Sequence, residues 1–231
     1  MDWLFETLGV EAIRLKESKL DCDACKIDSS LSRTDEYNKE TKCCLFKPYW
    51  SSLAIGYWAQ NHDVESLLKK QSDRLVFLPV GVLHTLEERR EYSRLSGKKM
   101  EDVKPCSFFN EEKKHCNIWQ ARPATCASFF CTSGYQKGME LYSRYEDLVM
   151  GLESQLVRAW FCSLNYTDRD LDLLVDYFDE DVNISLPQHL VIDSVSEATA
   201  MYKDCYNWVK KKNWGMVKEY ELLVDEFRQL C

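Results

Sequence analysis

The chain has little of what interrupts regular structure. Its 231 residues include 8 glycines and 5 prolines, about half the usual share. That excludes collagen-like and linker-rich architectures and predicts long helices. It also lacks a basic excess: 30 Lys and Arg stand against 38 Asp and Glu, a net charge of −8. A free-standing nucleic-acid binder needs positive charge to meet phosphates, so this balance argues against that class. No apolar run approaches the roughly 18 residues of a membrane span. No glycine-rich phosphate loop, G-x-S-x-G or H-E-x-x-H is present, which leaves those chemistries without a motif. The opening Met1-Asp2-Trp3-Leu4-Phe5-Glu6 has acids where a secretory leader has a basic start and an unbroken apolar stretch. The expectation is a cytoplasmic protein that binds neither membrane nor nucleic acid, with room for a protein partner the sequence does not identify.

Hydrophobic residues make up 45% and charged residues 29%, a folded rather than disordered balance. The unusual count is 11 cysteines. In a reducing compartment cysteines serve more often as metal ligands or reactive thiols than as disulfides, and an odd count fits a closed disulfide framework poorly. A secreted, disulfide-rich protein is the rival. Its one supporting sign is the pair of sequons Asn165-Tyr166-Thr167 and Asn183-Ile184-Ser185, which mean little without a leader.

Eight cysteines precede residue 132 and only Cys162, Cys205 and Cys231 follow. The asymmetry predicts a cysteine-rich region over 1–138 and a helical region over 139–231, packed together as one unit. Residues 3–19 read as helix and 26–42 as a polar loop. Trp50, Leu53, Ala54, Tyr57 and Trp58 follow helical spacing. Asp63 is placed to cap a short helix carrying Leu67 and Leu68. Residues 75–83 are apolar but contain Pro79 and Gly81, and read as an extended segment. Lys98, Lys99 and Lys104 mark a solvated loop.

In 139–161, Leu141, Tyr145, Leu148, Val149, Leu152, Leu156, Ala159 and Trp160 keep helical spacing. Thr167 with Asp170 is a capping signal for a helix facing Leu171, Leu174, Val175 and Phe178 inward. Ser194 to Glu197 is a capping box before Ala198, Met201, Tyr202, Cys205, Trp208 and Val209. Val217, Tyr220, Val224 and Phe227 continue to the end. Four such helices suggest an antiparallel bundle or a helical lid.

The chemistry-bearing residues lie in the first region. Cys22-Asp23-Ala24-Cys25 is a C-x2-C pair, in which two thiolates can bind one metal while intervening amides point at the sulfurs; a redox or incidental pair is the alternative. In adjacent Cys43 and Cys44 an extended backbone sends the side chains to opposite sides, so they serve different sites, or one is a ligand and the other a buried thiol. Cys106 and Cys116 follow, then Cys126 and Cys131. Pro123 suits a first helical position, which would make Cys126 the fourth residue of that helix, near unpaired amides and the Arg122 charge. That environment favours a thiolate, as a metal ligand or a nucleophile; a buried thiol beside Phe129 and Phe130 is the alternative. A helix running through Cys131 would turn it roughly 140° away from Cys126.

C-x2-C, then C-C, then a cysteine before two aromatics, then C-x-I-W-x-x-R-P-x-x-C resembles the YkgJ-type cysteine-cluster proteins, described as zinc- or iron-chelating domains, and the related flagellin lysine N-methylases. The residues carrying the resemblance are Cys22, Cys25, Cys43, Cys44, Cys106, Cys116, Ile118, Trp119, Arg122, Pro123 and Cys126. They span about half the chain. The resemblance to the methylases implies an iron–sulfur cluster. The chain departs from the family in the long stretch 26–42 between the first two motifs, in Ala127 after Cys126, and in Trp119 where Tyr is common.

The remaining cysteines and histidines read as ordinary. Cys205 lies on an apolar helix face, and Cys162 and Cys231 end elements. His115 reads as a solvent-facing loop residue; His62, His84 and His189 are isolated. Lys210-Lys211-Lys212 complements a helix C-terminus. The fold expected is mainly α: a cysteine-rich metal-binding part with little or no sheet, packed on an antiparallel helical bundle. The function expected is metal binding through Cys22, Cys25, Cys43, Cys44, Cys106, Cys116, Cys126 and Cys131, holding zinc or iron, the latter as a [4Fe-4S] cluster. Four thiolates complete a zinc site or a cluster, so eight suffice for two. A metal-cluster-dependent modifying enzyme, such as a lysine methylase relative, is the alternative; no glycine cluster for a methyl donor accompanies it.

Overall fold

The computed structural model describes residues 2–9, 44–93, 103–127, 136–179 and 181–212. The readings of 26–42 as loop, of Lys98-Lys99 and of a last helix from Val217 lie outside those residues. In chain order the described elements are α1 (Asp2–Leu8), β1 (Trp50–Ser51), α2 (Ser52–Trp58), α3 (Val64–Lys69), β2 (Leu75–Leu78), β3 (Gly81–His84), α4 (Leu86–Ser93), β4 (Phe109–Asn110), β5 (His115–Cys116), α5 (Ala124–Ala127), α6 (Gln136–Ser163), α7 (Asp168–Phe178) and α8 (Val195–Lys211). The fold is mainly helical, as expected. Its strands form two small antiparallel sheets, one ordered β1-β3-β2 and the other a β4-β5 hairpin.

Local signals place most helix starts. Ser51 caps α2 by accepting from the Ala54 amide at 3.0 Å. Asp63 accepts from Ser66 N at 3.1 Å, as its position before an apolar run predicts. Thr167 and Asp170 form the reciprocal capping box of α7. Ser194 caps α8 by accepting from Glu197 N at 3.4 Å.

Three sequence readings are corrected. Residues 75–83 are a true hairpin: Leu75 pairs with His84, Val76 with Leu83, Phe77 with Val82 and Leu78 with Gly81. Pro79 sits in the two-residue turn, where its missing N–H removes no ladder bond. Gly81 has φ +153, and a Cβ there would overlap the Trp50 carbonyl. Trp50, read as helical, belongs to β1 opposite Val82. Val175, placed on the inner face of α7, is 65% exposed; it lies at the edge of the stripe centred on buried Leu174.

The apolar residues divide into two cores. The first gathers Trp3, Leu4 and Phe5 of α1 with Val149, Leu152, Leu156, Trp160 and Phe161 of α6 and Cys205, Tyr206 and Val209 of α8. The second gathers Trp50, Ile55, Val64, Leu68, Leu75, Phe77, Val82, Cys106, Phe108, Ile118 and Tyr202. Helix α2 belongs to both, giving Leu53 and Ala54 to one and Ile55 and Trp58 to the other. A helix apolar on all sides has to be enclosed. Helix α8 does the enclosing and packs more extensively on α2 than on α6. Its Tyr202 hydroxyl donates to the Leu78 and Gly81 carbonyls, both at 3.0 Å, and so fixes the hairpin. The 138/139 division proposed from the sequence falls inside α6, and the first core takes residues from both sides of it.

Several polar groups inside this packing are paired, while the indole nitrogens of Trp3 and Trp50 are not. Ser51 Oγ donates to the Glu153 carboxyl, Ser52 Oγ to the Cys205 sulfur at 3.4 Å, and the Tyr49 hydroxyl to the Val80 carbonyl. Burial pushes the Glu153 carboxyl up to about 7, against the pull of the Ser51 hydrogen bond. Arg89 of α4 is 2% exposed and donates to the carbonyls of His84, Tyr177 and Phe178, which ties the end of α7 to the β2–β3 sheet.

Two outcomes follow from the packing. A Cβ at Gly56 would overlap the Tyr202 carbonyl and lie 2.9 Å from Tyr206 Cβ. Gly56→Ala should therefore cost on the order of 3 kcal/mol, read as a lower chemical-denaturation midpoint. Glu153 gives a pH dependence. An unfolded chain loses this proton near the ordinary carboxyl value of 4.5, the folded one near about 7. Between those values the folded state holds the extra proton, so its stability falls as pH rises, by about 3 kcal/mol in all. Denaturation at pH 4.5 and pH 7.5 should show that this decline is smaller in Glu153→Gln than in the parent.

Candidate metal centre

The centre is built where β4 and β5 meet the segment 103–108. The hairpin pairs Phe109 with Cys116 and Asn110 with His115. Asn110 shapes its loop, accepting from Lys113 N at 2.9 Å, and Lys114 takes the left-handed conformation, φ 53, that such a loop needs. The ladder extends one step, with Asn117 N donating to Phe108 O at 2.8 Å. Cys116 is thereby held beside the Cys106–Phe109 turn, which is closed by Phe109 N on Cys106 O at 2.9 Å. The Phe108 amide points at the Cys106 sulfur at 3.5 Å. Cys44 enters from a distant part of the chain: its carbonyl accepts from Cys106 N at 2.6 Å.

Cys106 is buried within the second core, and Cys44 and Cys116 are packed against that core. Burial pushes the Cys106 thiol up to about 12; the Phe108 amide pulls it down, Cys116 pushes it further up, and Lys47 and Arg74 pull it down. Cys106 carries a free thiol. Among the described residues, no three His, Cys, Asp or Glu side chains are grouped closely enough to hold a metal ion. Cys22, Cys25, Cys43 and Cys131 lie outside the described residues.

The motif between Cys116 and Cys126 has a clear local logic. Ile118 is fully buried and Trp119 is 43% exposed. Trp119–Ala121 form one 3-10 turn, so Arg122 falls back over the indole, its guanidinium 3.7 Å from the ring centroid, a cation–π contact. The Arg122 guanidinium is thus laid over Trp119. Helix α5 begins at Ala124, which makes Cys126 its third residue rather than the fourth. The Cys126 amide donates to Pro123 O at 3.0 Å. Cys126 is half-buried and has no place in the core that holds Cys106.

The other expectations resolve simply. Cys205 is a fully buried, free thiol of the first core, and Cys162 is exposed. His115, read as a loop residue, is half-buried on β5 with Nδ1 3.2 Å from the Cys116 carbonyl. Lys210 and Lys212 stand over the rings of Tyr206 and Trp208.

Sequence reasoning missed a polar group behind Cys106. His84 is fully buried; its Nε2 accepts from Ser107 N at 3.2 Å, and its ring lies 5.3 Å from that of Trp50. Its Nδ1 is directed at the Pro48 carbonyl without a well-aligned hydrogen bond. Desolvation, followed by Lys47, Arg74 and Arg89, lowers its pKa to about 3, so the ring is neutral. Arg74 holds Glu88 through both Nε and Nη2 and also donates to Pro105 O at 2.6 Å. Lys47, 6% exposed, donates to Lys104 O. Nothing in the sequence marks these positions, because only tertiary contact brings their charges inside.

Compared with known proteins, the chain matches no family model, no curated protein and no solved structure. The likeness to the YkgJ-type proteins therefore rests on the motif residues themselves. Among the described residues, no helix is long and apolar enough to cross a membrane.

Proposed function

We propose that the protein binds metal through cysteine thiolates, as zinc or as an iron–sulfur cluster, at a centre that includes Cys106 and Cys116. The observation that supports this reading is at the backbone: Cys106 N bonds Cys44 O, and Cys116 pairs with Phe109, three residues after Cys106. The donor set fits the group. Thiols are the ligands both zinc and iron–sulfur clusters take. An amide aimed at a sulfur, as at Phe108 and Cys106, favours the deprotonated form a metal requires. The proposal assigns the remaining ligands to Cys22, Cys25, Cys43, Cys126 and Cys131. The free thiol at Cys106 also supports this reading over a disulfide framework. Metal would supply a covalent tie between distant segments, and an iron–sulfur cluster would supply electron transfer as well. The chain's own part is to desolvate Cys106, aim an amide at it and hold Cys116 opposite Phe109.

Elemental analysis and an absorption spectrum of anaerobically purified protein test the proposal. Metal near or above one per chain is expected. A broad band near about 400 nm would identify iron–sulfur, and a colourless, stoichiometric protein would identify zinc. The double variant Cys106→Ser with Cys116→Ser should lose most of that metal. Parent protein holding under ~0.2 metal per chain would contradict the proposal, since thiolate sites retain their metal.

A further inference from the structure

Glu153 is a carboxyl on an apolar helix face. It lies within α6, 7% exposed, and its helical neighbours Val149, Leu156 and Val157 are buried in the first core. Among the described residues, no Lys, Arg or His side chain forms an ion pair with it. Its side-chain hydrogen bond comes from the Ser51 hydroxyl. That hydroxyl has a second duty: it accepts from Ala54 N at 3.0 Å and so caps α2. Ser51 itself belongs to β1 and stands opposite Gly81 of β3. The next residue turns to the other neighbour: the Ser52 amide donates to Val80 O at 2.7 Å and its hydroxyl to the Cys205 sulfur of α8 at 3.4 Å. One carboxyl of α6 therefore bears on the point where β1 ends and α2, shared by both cores, begins.

The titratable groups around Glu153 give a negative charge little support. Tyr49, just before β1, and Cys205 of α8 are themselves acids, and after burial the Glu153 charge raises the Tyr49 pKa further and adds to the rise at Cys205. Tyr202 of α8 acts on Tyr49 in the same sense. The amino terminus of the chain is the cation that acts on Glu153, and its pull is smaller than that of the Ser51 bond.

We propose that Glu153 and Ser51 form a proton-operated latch between α6 and the start of α2, shut while the carboxyl keeps its proton and released when it ionises. A carboxylate has about four acceptor sites and meets one donor here, and an under-bonded buried charge is costly. On ionisation the carboxyl O–H bond breaks, the proton passes to solvent and the electron pair stays on the carboxylate. The carboxylate gains water by parting from the seam, which takes away the partner of the α2 cap. The opening is local and lies at Ser51–Ile55. A shut latch keeps its proton up to about 7, and an open one loses it near 4.5. The open fraction therefore rises with pH between those values and levels off above the upper one. The latch requires no metal and is independent of the thiolate centre.

Amide hydrogen exchange of the 15N-labelled full chain tests it, with rates corrected for the intrinsic effect of pH. From about pH 5 to about pH 7, protection at Ala54 and Ile55 should fall about thirtyfold in the parent and less than about threefold in Glu153→Gln. Low urea should leave that exchange unchanged, since a local opening exposes little surface. Equal α2 protection at the two pH values in the parent, or an equal fall in the variant, would overturn the proposal. So would α2 exchange that quickens with urea as steeply as that of Trp160, because the whole core would then be unfolding. If Glu153→Gln does not fold, the parent still decides. Its Glu153 carboxyl, followed by 13C NMR, should titrate at the pH where α2 exchange levels off; titration at the ordinary carboxyl value of 4.5 overturns the latch.

Discussion

Helix α2 has no face left for solvent, and the enclosure depends on the close approach of α8 at Gly56. The missing Cβ lets the Tyr202 carbonyl sit against the α2 backbone. That contact lets one seven-residue helix serve two cores at once. It also aims the Tyr202 hydroxyl at the β2–β3 turn. The hairpin so fixed carries His84 and, through β1, sets Trp50 against Phe108, their rings 4.3 Å apart. Phe108 is the residue whose amide meets the Cys106 sulfur. The candidate centre is thus held in place by packing that starts at a glycine on the far side of α2.

The electrostatics around Cys106 follow burial, which pushes its thiol pKa up and the Lys47 pKa down. Apolar surroundings keep a thiol protonated and an ammonium neutral, yet Lys47, Arg74 and Glu88 are all drawn into the same few residues as Cys106. The Arg74–Glu88 pair balances itself. Desolvation lowers the Lys47 pKa, and Cys106, Glu88 and Glu91 pull it the other way.

How much of this was legible depended on range. Asp63, Thr167 with Asp170, and Ser194 announce their helices because a cap is a bond within a few residues. Tyr145, Val149, Leu152, Leu156 and Trp160 give the inner face of α6 by period alone. The β2–β3 hairpin was hidden by Pro79, which reads as a strand breaker until its place in the turn is known. Trp50 keeps helical spacing with α2 but is claimed by the ladder to Val82. The cysteine motif is legible as a pattern, and the structure adds the Cys106–Cys44 backbone bond and the Phe109–Cys116 register. His84, Lys47 and Arg74 were illegible, because the burial of a charge is decided by segments far apart in sequence.

The central claim is that sulfur from separate stretches of this chain converges on a bound metal. X-ray absorption at the metal edge of the purified full-length protein tests it most directly. A first shell of sulfur scatterers near about 2.3 Å is the predicted result, and a shell of only nitrogen or oxygen near about 2.0–2.1 Å would contradict it.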